Sequence, residues 1–200
     1  MAAFLSPDLA RAAARLAAGG EAQADALNTA DGLLGDGDLG VTVAQGWRAA
    51  AGKALPDDVG MAFLAMAKAF QSASPSSFGT LMATALMSAA SACKGRSEVP
   101  WSEVSALLGG ARDAMMARGK GELGQKSVLD IVDALAKATA GLDDPVALLA
   151  AAAVGSRQTL NDFRGKPAGL GRARIFAEKS KGLDDPGMLA VDVMIGAFTG

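Results

Sequence analysis

The chain has 200 residues, half of them apolar and 4% aromatic, with a net charge of −2. A chain of this length carries a core of its own, read here as one domain over 1–200, and the charge lacks the basic footprint of a nucleic-acid binder. Histidine is absent, which removes Ser-His-Asp triads, His-ligated zinc and an imidazole general base, and the lone Cys93 excludes an internal disulfide and reads as a small core residue.

The opening residues, MAAFLSPDLARAAARLAAGG, lack the basic start and long apolar centre of a secretory signal. Apolar runs such as VALLAAAAV (146–154) fall far short of the roughly 20 residues a membrane span needs. No membrane association and a cytoplasmic location are therefore expected.

In chain order, Ser6 is expected to cap a first helix, with Pro7 and Asp8 in its first turn and its end at Gly19-Gly20. A second helix covers about 21–31, with apolar residues at 22, 26, 27 and 30 on one face. It stops at a glycine-rich stretch, ADGLLGDGDLG (30–40). Further helices are expected at about 40–52, 58–72, 79–93, 101–117, 127–140, 144–163 and 187–198. No strand is expected, because β-branched alternation is confined to GVTV (40–43). Short connections between alanine-rich helices favour antiparallel neighbours, so the fold class is all-α, a bundle or a closed helical barrel. One long irregular segment, 164–186, is rich in basic residues. A loop of that length reads as a lid, a binding loop or disorder.

The stretch at 30–40 places Asp31, Asp36 and Asp38 within eight positions among Gly32, Gly35, Gly37 and Gly40. Three carboxylates so close repel one another unless a cation neutralises them, and oxygen-only ligands suit a hard divalent ion. The next helix would open at Gly40, and its free amides favour an anion beside the metal. Three readings stand on spacing alone: a solvated acidic turn, a Mg²⁺-phosphate site, or a Ca²⁺ loop. The last lacks the glycine at position 6 and the glutamate at position 12 of an EF-hand counted from Asp36.

The run LNTADGLLGDGDLGVTVAQGW resembles the motif of the nucleotide-binding subunit or domain of dihydroxyacetone kinases. Three further stretches agree in order and spacing: SFGTLM (77–82), ARGKGELGQKSVLDIVDAL (117–135) and KPAGLGRARIFAEKSKGLDDPGMLAVDVMIGAF (166–198). The resemblance covers about residues 20–198. It implies an eight-helix antiparallel barrel with the nucleotide at one end. It further implies that Asp31, Asp36 and Asp38 hold two Mg²⁺ ions bridging the phosphates of ADP or ATP, and that Leu39, Gly40, Val41 and Thr42, with Ala73 and Ser74, lie along those phosphates. Gly119 and Val128 would line the adenine pocket. Arg172, the candidate transition-state arginine, would close over the nucleotide with Asp185, Pro186 and Gly187. The implied partner is a sugar-binding kinase subunit that presents a small ketose, triose or polyol-derived substrate. A phosphotransfer protein that recharges bound ADP is the alternative to ATP as donor, and a homodimer is one option for the oligomeric state.

Two positions depart from the family pattern. Leu39 stands where the family usually has histidine, and Gln71-Ser72-Ala73-Ser74-Pro75 replaces a glycine-rich loop, Pro75 lacking an amide donor. They leave a degenerate, regulatory member that binds a partner without catalysis as the alternative reading. Ser74, Ser76 and Ser77 read either as phosphate donors or as helix caps. Lys120 and Lys126 read as solvated turn lysines, Asp130 and Asp133 as polar positions on a helix face, and the methionines at 61, 66, 82, 87, 115, 116, 188 and 194 as core. Trp47 and Trp101 are too few for a base-stacking platform.

Overall fold

A computed structural model describes residues 2–199, and the fold is all-α. Nine α-helices occur among the described residues: α1 (Ser6–Ala22), α2 (Ala24–Leu34), α3 (Leu39–Ala51), α4 (Val59–Ala73), α5 (Ser77–Cys93), α6 (Val104–Gly119), α7 (Val128–Ala138), α8 (Pro145–Arg164) and α9 (Pro186–Gly196). No helix among those residues is long and apolar enough to cross a membrane. From α3 onward each helix packs against the next, α1 packs on α3, and α9 returns to α1 and α2.

Several boundaries differ from expectation for identifiable reasons. Gly19 and Gly20 do not end α1. A Cβ at Gly19 would lie 2.6 Å from Ala197 Cβ, and one at Gly20 3.1 Å from Val43, so both residues permit close helix packing instead of stopping the helix. Ser6 is buried at the first helical position, and the Asp8 carboxylate accepts the Leu5 amide at 2.9 Å in place of a serine cap. The helix α2 starts and ends three residues later than its apolar spacing suggests. GVTV lies in the first turns of α3, where Gly40, Thr42 and Val43 are buried and Val41 is exposed, a helical rather than alternating pattern. Two strands of three residues do form, β1 (Ala3–Leu5) and β2 (Glu98–Pro100), paired antiparallel with buried Phe4 opposite buried Val99. Strands this short carry no readable period.

Two large apolar clusters make up most of the core, with a third, small one at Leu34. One joins α1 to α5 with α9 around Leu27, Val43, Trp47 and Phe70. The other joins α6 to α9 around Met115, Ile131, Leu135 and Met188. Cys93 is buried in the first, as expected. Trp47 packs edge-on to Phe70, and Trp101 packs against Phe4. Met61 and Met87 lie exposed, contrary to their helical spacing, which resolves periodicity but not which helix face is covered.

Candidate functional site

The first residues of α3, α5, α7 and α9 (Leu39, Ser77, Val128 and Pro186) and the last residue of α6 (Gly119) all line one cleft of about 740 Å³. Consecutive helices from α5 to α7 therefore run in opposite directions, and four helix N-termini, each a partial positive charge, meet at one place. That volume lies within the range of small-ligand sites.

The acidic loop sits at this cleft. Asp31 lies in the last turn of α2, and its Oδ2 accepts the amides of Gly37 at 2.8 Å and Asp38 at 3.1 Å. Those two bonds fold 35–38 back under the helix end. Gly37 takes φ 77°, a left-handed conformation open to glycine at little cost. One carboxylate oxygen from each of Asp31, Asp36 and Asp38 comes within 4.8 Å of the others. The carboxyl of Asp38 is pushed above the ordinary aspartate range by burial and by the charges of Asp36 and Asp31, with Arg172 opposing. Arg172 forms an ion pair with Asp36. One guanidinium against three carboxylates leaves net negative charge on hard oxygen donors, a set whose chemistry fits a divalent cation.

The start of α3 is less open than the sequence suggests. Asn28 of α2 accepts the amides of Gly40 at 2.7 Å and Val41 at 3.3 Å, and the Thr42 amide bonds the Asp38 carbonyl at 3.0 Å. These three donors are engaged within the protein. Leu39 and Thr42 line the cleft, whereas Gly40 and Val41 do not. Ala73 and Ser74 also lie outside it: Ser74 is buried, and its Oγ donates to the Thr42 carbonyl at 2.8 Å, tying the end of α4 to α3. Pro75, Ser76 and Ser77 take their place on the wall, with Ser76 capping α5 by accepting the Gly79 amide at 3.0 Å.

Gly119 and Val128 line the same cleft, as do the apolar side chains of Phe78, Leu81 and Leu170. Sequence reasoning misses Phe78 and Leu81, whose spacing on α5 is that of core residues, and it misses Arg118 and Arg174, which also line the cleft. Asp185 caps α9 by accepting the Met188 amide at 2.9 Å. Burial pushes its carboxyl up to about 7 despite that amide and the charge of Lys126.

The segment between α8 and α9 is ordered. It turns through a short 3₁₀ helix, Arg172–Phe176, and buries Ala168 and Ala173 against Leu34. Lys126 is not a solvated turn lysine, since it has no exposed surface. Asp130 and Asp133 are buried as well, the first in a capping box with Ser127 and the second paired at 2.7 Å with both Arg112 and Lys137.

Residues 33–200 match the DAK2 domain. The chain belongs to the DAK2 domain family. It is 28% identical over 181 residues to the ADP-binding subunit DhaL of the PEP-dependent dihydroxyacetone kinase of Escherichia coli (strain K12), covering 86% of each chain. It shares its fold with the dihydroxyacetone kinase of C. freundii, in native form and in complex with AMP-PNP and Mg²⁺, at a TM-score of 0.74 in each case. Identity to these two structures is 20% and 19%. The match covers 94% of this chain, which spans only 33% of the C. freundii enzyme. Asp31 lies two positions before the matched DAK2 stretch, yet the fold carries it into the same acidic cluster. In this DAK2 family member the Leu39 side chain belongs to the buried core around Val43 and Trp47, and that position offers the cleft no polar atom beyond the backbone.

Proposed function

We propose that this chain, acting as one nucleotide-binding domain, is the ADP- and ATP-holding component of a dihydroxyacetone-kinase-like phosphotransferase in the cytoplasm. The observation that carries the reading is the convergence of three carboxylates and four helix N-termini on one cleft. Phosphates placed there face helix dipoles and the Arg172 guanidinium, while Asp31, Asp36 and Asp38 would hold two Mg²⁺ ions. Bound in that position, Mg²⁺ offsets the charge that develops on a transferring phosphoryl group. Phe78, Leu81, Gly119 and Val128 supply apolar surface for the base, and Asp185, Pro186 and Gly187 complete the lining. Leu39 and Thr42 lie at the phosphate end. Gly40, Val41, Ala73 and Ser74 support that end from behind, through Asn28 and the Ser74–Thr42 bond.

The chain offers no imidazole base, so activation of the acceptor hydroxyl falls to a separate sugar-binding subunit that presents a small ketose, triose or polyol-derived substrate. The name of the E. coli relative, a PEP-dependent kinase with an ADP-binding subunit, supports a phosphotransfer protein that recharges bound ADP as the donor. Apolar Leu39 favours the second reading, a regulatory member that keeps the nucleotide and binds a partner without transfer. Reconstitution with a sugar-binding subunit separates the two. Phosphoryl transfer that falls at least 100-fold in Asp36→Ala supports the kinase component. Mg²⁺-dependent nucleotide binding without transfer supports the regulatory one.

A further inference from the structure

Lys126 precedes α7 in a left-handed conformation, φ 57°, and is the only lysine buried among the described residues. Its Nζ donates to three main-chain carbonyls: Arg164 at 3.1 Å, Lys166 at 2.8 Å and Ser180 at 2.7 Å. An ammonium has three N–H donors and no acceptor, so all of its hydrogen-bonding capacity is used. Burial pushes its pKa down, while Asp185 and Asp184 favour the charged form. The three carbonyls lie at the end of α8 and towards both ends of the segment that joins it to α9, 38 to 54 positions away in the chain.

Other bonds close the same loop. The Gly169 amide donates to the Gln125 carbonyl at 2.8 Å, the Ala168 amide to Ser180 Oγ at 2.8 Å, and the Gly182 amide to the Arg164 carbonyl at 2.8 Å. Arg164 bridges Asp184 at 2.9 and 2.8 Å. Between these anchors the strap carries Arg172 to the acidic loop, where it pairs with Asp36. Lys126 therefore stands at the hub of a closed loop whose tip bears Arg172, the one basic residue among those described that pairs with the carboxylate cluster.

We propose that Lys126 is a positioning residue: by gathering both ends of the strap onto the corner before α7, it fixes the turn that holds Arg172 over the phosphate end of the cleft. Ordering the strap before a ligand arrives removes that cost from binding. The proposal rests on the reading of the cleft as a nucleotide site, and one arm of its test is independent of that reading.

Lys126→Met keeps chain length and removes the three donors. In ligand-free protein, trypsin should cleave after Arg172, Arg174, Lys179 or Lys181 at least tenfold faster than in wild type. By calorimetry, the affinity for Mn²⁺ alone should not fall, because the carboxylates stay in place and the Arg172–Asp36 pair is only loosened, and ADP affinity in Mg²⁺ should fall at least tenfold. In an Arg172→Ala background, Lys126→Met should change ADP affinity less than twofold, because the residue being positioned is gone. A purely structural role would instead lower Mn²⁺ and ADP affinity together and give equal losses in both backgrounds, which overturns the proposal, as does wild-type protection from trypsin. If Lys126→Met does not fold, Arg164→Ala unties the half-exposed Asp184 bridge. It should give a smaller acceleration of cleavage and the same dependence on Arg172, and equal losses in the two backgrounds again overturn the proposal. Failure of the wild type to bind ADP sinks the nucleotide reading and leaves the trypsin comparison to decide this one.

Discussion

At Asp185, burial and the α9 amide act in opposite directions, and burial wins, raising the carboxyl to about 7. An unfolded aspartate titrates near ~3.9, so folding at intermediate pH takes up a proton here. The resulting stabilisation is fully present below the unfolded value and is lost as pH rises through about 7. Asp185→Asn keeps an acceptor for the Met188 amide and has no proton to lose. Between pH 5 and 8 the wild-type Tm should fall by roughly 5 to 10 °C more than that of the variant in parallel calorimetric melts, equivalent to about 2 to 4 kcal/mol. Parallel curves for the two proteins would remove Asp185 as the source. Loss of the Asp36 carboxylate relieves repulsion on Asp38. Asp36→Ala should leave the ligand-free Tm within about 2 °C of wild type, since exposed charge changes cost little, while removing Mg²⁺-dependent stabilisation by ADP. The acidic triad is legible in sequence because three aspartates among glycines are rare and chemically costly. Lys126 is not, because its burial depends on carbonyls contributed some forty positions downstream.

Among the elements, the junction of α2 and α3 decides how the acidic loop is held. A Cβ at Gly40 would lie 2.0 Å from the Ala24 carbonyl oxygen, a backbone atom that cannot move without shifting α2. Gly40→Ala should therefore lower stability by roughly 1–3 kcal/mol, about 2–10 °C in Tm, and weaken Mn²⁺ binding, because α2 carries Asp31. Unchanged Tm and Mn²⁺ affinity would show that the close approach is unimportant. Helix positions are readable from apolar spacing and punctuation, yet ends shift where packing overrides local signals. Gly19-Gly20 looks like a stop and is a contact with Ala197 and Val43, and α2 continues past Asp31 so that the carboxylate can reach back to the Gly37 and Asp38 amides. The amides of Gly40 and Val41 look free at a helix start, but Asn28, twelve positions earlier, accepts the first at 2.7 Å. Side-chain caps from a neighbouring helix leave no mark in local sequence.

For the whole molecule, the alternation of helix direction places four N-termini around one cleft, and the strap from α8 to α9 lines it with Leu170, Arg172 and Arg174. The all-α class follows from composition and spacing, and the strap from its length and basic residues, but its order requires the Lys126 hub and the small cluster of Leu34, Ala168 and Ala173. In the proposed function this cleft binds a nucleotide through divalent metal held by Asp31, Asp36 and Asp38. Calorimetric titration of ADP into the purified chain, with Mg²⁺ and then with EDTA, tests it most directly. One ADP per chain should bind in Mg²⁺, with an affinity at least 100-fold lower in EDTA, a difference of about 2.7 kcal/mol; no heat in Mg²⁺, or the same affinity in EDTA, would rule out a metal-bridged nucleotide.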